Sequence, residues 1–199
     1  LERWIALCSE AGIEYFEIAH FFTQWGAGFA PKIMVNKNGR DIKRFGWETP
    51  AVGEYTVFLE QFIPALKTFL SEKNLLDKTF FHISDEPREE HLDEYEKARL
   101  SVLPYLKDCK IIDALSDYKF YEKGLVDIPV CAINHIEPFI ENNVPHLWSY
   151  YCTSQYELVS NRFFSMPLAR TRIYGVLVYK FGMEGILHWG FNFYNSQFS

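Results

Sequence analysis

The chain has 199 residues, a hydrophobic fraction of 48% and a formal net charge of −6. This composition is typical of a globular protein with one sizeable core, and it excludes wholesale disorder. The acidic balance disfavours a general nucleic-acid binder, because such a protein carries a basic patch that neutralises phosphates. No apolar run reaches the length of a transmembrane helix, so no membrane span is predicted.

The first part of the chain mixes helical and strand patterns. Gly12 suits a helix C-terminus, Asn38-Gly39 is typical of a hairpin turn, and Pro64 interrupts a helical pattern. The predicted elements are a helix at residues 1–12, a buried strand at 14–22, paired strands at 32–35 and 41–45, and a helix at 55–70.

From residue 79 onward, strands and helices alternate. The predicted elements are strands at 79–84, 110–115, 128–133, 146–152 and 185–191, helices at 88–106 and 167–181, and a short helix near Tyr118. Six buried strands, counting residues 14–22, mostly separated by helices, predict a parallel sheet covered by helices.

Two α/β architectures fit this alternation. A doubly wound sheet usually carries a glycine-rich nucleotide loop, but the chain has neither GxGxxG nor GxxxxGK[ST]. We therefore predict a (β/α)8 TIM-type barrel that lacks its first two strand–helix units, with residues 1–199 forming a single domain. Because the chain opens within a helical pattern, the natural N-terminus is expected to be missing and export cannot be judged.

The four cysteines, Cys8, Cys109, Cys131 and Cys152, form no CxxC pair, and most lie in apolar surroundings. This pattern favours free thiols in a reducing compartment, and hence a cytoplasmic location, over a disulfide framework. The sequence does not predict an oligomeric state.

The sharpest local motif is the sequence from His82 to Pro87, which contains the adjacent carboxylates Asp85 and Glu86 at the end of a predicted strand. Barrel active sites lie at the C-terminal ends of strands. Cleaving a glycosidic bond requires a proton donor and a group that stabilises positive charge, and close carboxyl groups have pKa values that separate. The competing interpretation is that Asp85 caps the helix that begins near Arg88.

Other strand ends carry aromatic and polar side chains. With 18 Phe, 12 Tyr and 5 Trp, the chain is rich in rings, which serve either as core or as sugar platforms. The predicted substrate-binding residues at these strand ends are His20, Trp25, His82, Tyr150, Tyr151, Trp189 and Asn192.

A metal site and a nucleophilic triad are the less favoured alternatives. His82, Asp85 and His91 are close in sequence, but no HExxH motif or Cys/His cluster occurs. No GxSxG elbow occurs either. We therefore predict neither a bound metal nor a cofactor.

The motif from His82 to Pro87 resembles the Asp-Glu motif of glycoside hydrolase family 123. A C-terminal run resembles that family's closing helix and strand, through Asn161-Arg162-Phe163-Phe164, Pro167, Arg170-Thr171-Arg172, Gly175, Tyr179-Lys180 and residues 185–194. The resemblance spans residues 80–194.

This resemblance implies a (β/α)8 catalytic barrel, usually preceded by a β-sandwich region that is absent here. It also implies retaining, substrate-assisted hydrolysis of β-linked N-acetylhexosaminides, typically N-acetylgalactosaminides. Glu86 would be the general acid and base, Asp85 would stabilise the 2-acetamido group, Tyr150 or Tyr151 would bind that group, and Trp189 would form a pocket wall. A non-catalytic carbohydrate-binding barrel and a metal-dependent hydrolase are the alternatives.

Overall fold

The computed structural model describes residues 1–190 and divides the chain into two compact units. The first unit contains Leu1–Asp113 and Lys119–Asp127. The second contains Ala114–Tyr118 and the chain from Ile128 onward.

The first unit combines three parallel strands with helices and a separate hairpin. Strand β1 pairs in parallel with β4, and β4 pairs in parallel with β5. The elements are α1 (Glu2–Glu10), β1 (Phe16–Glu17), β2 (Ile33–Lys37), β3 (Arg40–Phe45), α2 (Glu54–Glu72), β4 (Thr79–Phe81), α3 (Leu92–Leu106), β5 (Lys110–Leu115), of which Lys110–Asp113 lie in this unit, and α4 (Lys119–Glu122).

The predicted hairpin is confirmed as the antiparallel pair β2 and β3. Its turn places Asn38 at φ 54° and Gly39 at φ 79°, a left-handed pair whose twist matches that of the two strands.

Helix α2 anchors the backbone that follows β1. Its buried side chains recur at helical spacing from Tyr55 to Leu70, so one face packs into the core. The hydroxyl of Tyr55 donates to the carbonyl of Phe21 over 2.6 Å. Pro64 lies inside this helix without ending it.

Within the described residues, the second unit contains three further parallel strands and two α-helices. They are β6 (Ile128–Ala132), α5 (Glu137–Glu141), β7 (Trp148–Tyr150), α6 (Leu168–Lys180) and β8 (Gly185–Leu187). Strands β6 and β7 are parallel, as are β7 and β8. Gly185 is paired with Trp148, and a Cβ at residue 185 would lie 2.1 Å from the Trp148 ring, so this register requires glycine.

The predicted α/β class and its parallel strands are confirmed within each unit. Strands β1, β4, β7 and β8 are shorter than the runs that predicted them, whereas β5 has the predicted bounds. Helix α5 was not predicted, because its apolar pattern is only five residues long. All four cysteines are free thiols. Within residues 1–190, no helix has the length and apolar character needed to cross a bilayer.

Candidate active site

Two predicted strand ends come together in the first unit. The N–H of Phe21 donates to the carbonyl of His82 over 3.0 Å, and the N–H of Trp25 donates to the carbonyl of Asp85 over 2.7 Å. Hydrogen bonding between the two segments therefore continues beyond β1 and β4. It holds the Trp25 loop against the carboxylate pair.

The loop around Trp25 has further fixed points. The hydroxyl of Ser84 donates to the carbonyl of Thr23 over 2.8 Å. Gly26 has φ 130°, and a Cβ there would lie 2.8 Å from the ring of His91, so the loop can approach that ring only through glycine. Trp25 itself has φ 59° and is 54% exposed, so about half of its surface remains accessible to solvent.

The turn that carries the carboxylate pair is strained. Glu86 has φ 46°, a left-handed conformation that non-glycine residues seldom adopt, and buried Pro87 follows it. Such strain is concentrated at functional sites.

The start of the next helix does not involve Asp85 as the cap. A short 3-10 turn at Glu89–His91 precedes α3, its N-cap is Arg88, and the Arg88 N–H donates to Nδ1 of His91 over 3.2 Å. The capping interpretation of Asp85 is therefore wrong, because the 3-10 turn begins at Glu89 and α3 begins at Leu92.

Asp85 is half-buried, and burial together with the neighbouring Glu86 charge raises the pKa of its carboxyl to about 6. Asp113 adds to this rise, whereas His20 and His82 oppose it. Asp85 is consequently a carboxyl group that exchanges a proton near neutral pH.

His82 is 6% exposed and lies between two carboxylates. Its Nε2 is 2.8 Å from Oε1 of Glu17, without hydrogen-bond alignment, and its Nδ1 is 3.3 Å from Oδ1 of Asp113. Burial alone would lower the pKa of His82, but the carboxylates of Asp113 and Glu17 outweigh it and raise the pKa to about 9. The ring is therefore an imidazolium at neutral pH.

Asp113 is fully buried on β5 and gathers several donors. The N–H of Ile83 donates to its Oδ1 over 3.1 Å, and the hydroxyl of Tyr95 donates to its Oδ2. Burial raises the pKa of Asp113, and the contacts with His82, Tyr95 and Ile83 counteract that rise.

His20 lies beside this cluster and is half-buried. Its Nδ1 donates to the carbonyl of Phe22, two residues further along the chain, and this bond fixes the orientation of the ring. His20 lies close enough to Asp85 to stabilise its carboxylate electrostatically, which lowers the pKa of Asp85.

The second unit gathers a ring cluster from β7, α6 and the segment after β8. Tyr151 meets Tyr174 in a T-shaped contact at 5.0 Å between ring centroids, and meets His188 at 6.1 Å. The rings of His188 and Trp189 are 5.9 Å apart. Tyr150 is buried on β7, and Trp189 is 53% exposed.

Arg162 completes this ring cluster. Its Nη2 donates to Nε2 of His188, and Nδ1 of His188 donates to the carbonyl of Gly190 over 2.6 Å. These contacts with Arg162 and Gly190 orient the ring of His188. Asn192, the remaining predicted site residue, lies outside the described residues.

The family model for the glycoside hydrolase 123 catalytic domain matches residues 1–198. The chain belongs to this family.

A solved structure supports the fold of this glycoside hydrolase 123 chain. It is the structure of a family 123 glycoside hydrolase from Clostridium perfringens, solved to describe the details of glycolipid glycan hydrolysis. The TM-score is 0.68 at 17% sequence identity, over 96% of this chain and 34% of that chain. The chain therefore spans about a third of the length of that relative. A search of curated proteins gave no match.

Within the family 123 chain, the first unit brings together His20, Trp25, His82, Asp85 and Glu86. The second unit brings together Tyr151 and Trp189, with Tyr150 on the adjoining strand.

Sequence reasoning missed Glu17 and Asp113, and it noted Arg162 only as part of a family motif. Asp113 interrupts the apolar run of β5, and a charged residue inside a buried strand indicates a buried partner. Glu17 carried no comparable signal.

The second unit also contains an apolar cavity of about 680 Å³ between α5 and α6. Ile136, Ile140, Ile173 and Leu177 are among its lining residues, and none of the predicted site residues lines it. Among residues 1–190, no group of three or more His, Cys, Asp or Glu side chains is arranged to hold a metal ion.

Proposed function

We propose that this chain is the catalytic part of a retaining glycosidase that cleaves β-linked N-acetylhexosaminides, with N-acetylgalactosaminides as the preferred substrates. We further propose that residues 1–199 form part of one (β/α)8 barrel. Glu86 is the general acid and base, and Asp85 is the partner of the substrate's 2-acetamido group.

In the proposed reaction, the acetamido oxygen attacks the anomeric carbon while Glu86 protonates the departing glycosidic oxygen. The C–O bond to the aglycone breaks, and a cyclic oxazolinium intermediate forms. The Asp85 carboxylate accepts the acetamido N–H and stabilises the positive charge. Glu86, now ionised, takes a proton from a water molecule as that water attacks the anomeric carbon and opens the oxazolinium ring. The anomeric carbon is inverted twice, so its configuration is retained. The substrate supplies the nucleophile, as in known exceptions to the two-carboxylate scheme.

The observation that carries this proposal is the half-buried carboxylate pair on a strained turn just beyond a parallel strand. In barrels, that edge of the sheet holds the catalytic groups. A mechanism without an enzyme nucleophile does not need carboxylates on opposite sides of the sugar ring, so two adjacent residues are compatible with it. The activity of the Clostridium perfringens relative on glycolipid glycans agrees with a carbohydrate substrate.

The raised pKa of Asp85 bears on the division of roles. A carboxyl group with a pKa of about 6 ionises fully only above neutral pH. The ionised form is the stronger acceptor for the acetamido N–H, and it alone carries the negative charge that stabilises the oxazolinium. Substrate turnover should therefore decline as pH falls below about 6.

The proposal is tested with full-length protein and aryl β-glycosides. We expect turnover of the N-acetylgalactosaminide, slower turnover of the N-acetylglucosaminide, and a β-configured first product by NMR. The matched control substrate is the aryl β-galactoside, whose 2-hydroxyl cannot form an oxazolinium and which should not be cleaved.

Folded protein that cleaves neither N-acetylhexosaminide would contradict the proposal. Binding of sugar without turnover would favour a carbohydrate-binding barrel. Activity abolished by chelation and restored by metal would favour the metal-dependent hydrolase.

Trp25 is expected to contribute a sugar platform, because it is exposed and its backbone N–H is bonded to the carbonyl of Asp85. Replacing Trp25 with alanine should raise KM about tenfold, equivalent to about 1.4 kcal/mol of lost contact, with kcat little changed. The backbone N–H that bonds Asp85 remains, so the pair stays in place.

Initial-rate kinetics check this expectation. Trp25→Phe should retain most of the affinity. Trp47→Ala removes another exposed indole of the same unit and should leave KM unchanged. Equal effects of Trp25→Ala and Trp47→Ala would argue against a platform at Trp25.

A further inference from the structure

His82 lies where three neighbouring strands contribute charge. Glu17 belongs to β1, His82 follows β4 directly, and Asp113 belongs to β5. Each ring nitrogen lies near a different carboxylate, Nε2 at 2.8 Å without hydrogen-bond alignment and Nδ1 at 3.3 Å. Two negative charges beside one buried ring favour its charged form.

The Asp113 carboxylate also holds the backbone that leads to Asp85 and Glu86. Oδ1 of Asp113 accepts the N–H of Ile83, and Oδ2 accepts the hydroxyl of Tyr95 from α3. Ile83 is two residues before Asp85, so the network fixes the chain immediately before the turn.

We propose that His82 is a positioning residue, which as an imidazolium clamped between Glu17 and Asp113 fixes the strand end that presents Asp85 and Glu86. This inference rests on the proposed function. It changes the predicted role of His82, because a ring that is 6% exposed with both nitrogens facing carboxylates has little left to offer a substrate.

The charges around Asp85 support a second effect of the same ring. Burial, Glu86 and Asp113 raise the pKa of Asp85, whereas His20 and His82 lower it. Loss of the His82 cation should therefore move the Asp85 titration to higher pH and leave less carboxylate at neutral pH.

The test compares wild type with His82→Gln in full-length protein. Aspartate carboxyl carbons are followed by ¹³C NMR against pH, with the Asp85 signal assigned through Asp85→Asn. We expect the Asp85 titration midpoint to rise by about half a pH unit or more. We also expect kcat on the aryl N-acetylgalactosaminide to fall about 100-fold, because misplacement by about 1 Å has that cost, while KM changes far less.

Two further variants make the test specific. Tyr95→Phe removes one donor to Asp113 and keeps the His82 cation, so it should lower kcat by a smaller amount and leave the Asp85 titration midpoint near that of wild type. His146→Gln breaks another histidine–carboxylate pair, the exposed one with Glu184, and should change neither.

An unchanged Asp85 titration together with kcat within about twofold of wild type in His82→Gln would overturn the inference. If that variant does not fold, kcat within about twofold of wild type in Tyr95→Phe overturns it. If wild-type protein cleaves no glycoside, the proposed function fails separately, and the NMR titration decides the role of His82.

Discussion

Replacing Glu86 with glutamine should lower kcat on an unactivated N-acetylgalactosaminide by about a thousandfold, within the range of general acid–base catalysis. Glutamine preserves the size and the left-handed backbone position of residue 86 but cannot deliver a proton. Binding should persist, because the sugar contacts remain. KM should therefore change much less than kcat.

The leaving group separates the two carboxylates. A dinitrophenyl aglycone departs without a proton, so the loss in Glu86→Gln should shrink strongly for the first step. Asp85→Asn should show a comparable loss that does not shrink, because attack by the acetamide remains impaired. The acid limb of the pH profile, with a midpoint near the Asp85 pKa of about 6, should also disappear in Asp85→Asn.

Steady-state kinetics on a graded series of aryl glycosides measures these effects. Glu96→Gln, the same substitution at an exposed position of α3, should behave as wild type. Rescue by the dinitrophenyl substrate in Asp85→Asn but not in Glu86→Gln would reverse the assigned roles. The raised pKa of Asp85 is compatible with that outcome, because a general acid must keep its proton near neutral pH.

The position of the carboxylate pair could be predicted because local rules coincide there. A buried strand ends, two carboxylates follow, and Pro87 disfavours helical geometry before it. The structure adds what local rules could not supply: the left-handed Glu86 and the bond from the Trp25 N–H to the Asp85 carbonyl. That bond depends on a loop more than fifty residues earlier in the chain.

The network beneath the pair could not be predicted, because its members are distant in sequence. Glu17, His82 and Asp113 meet only through the parallel register of β1, β4 and β5. The sequence places His82 at a strand end but does not reveal that both of its nitrogens face carboxylates. Similarly, Arg162 was noted as part of a motif, and its contact with His188 follows only from the fold.

The buried imidazolium should also make the folded state less stable as pH rises above neutrality. The pKa of His82 is about 9 in the folded protein, against about 6.5 in an unfolded chain. Between those values the folded state keeps a proton that the unfolded state has lost. The stabilisation is complete below about pH 6.5 and is lost as pH rises through about 9, with a slope of about 1.4 kcal/mol per pH unit.

The useful window is about pH 7 to 8.5, over which the free energy of unfolding should fall by about 2 kcal/mol. Asp85, with a folded pKa of about 6, has a stability effect of the same sign, but this is nearly complete by pH 7. Burial also raises the pKa of the Cys131 and Cys109 thiols, so ionisation of cysteine in the unfolded state adds a further loss towards the upper end of this window.

Denaturant titrations of wild type and His82→Gln at pH 7.0 and 8.5 isolate His82, because both proteins share the cysteine loss. His82→Gln should show only that smaller loss between the two pH values, and His146→Gln should keep the wild-type fall. A wild-type fall no larger than that of His82→Gln would mean that the buried ring is neutral, and the ion pairs with Glu17 and Asp113 would then contribute nothing that depends on its charge.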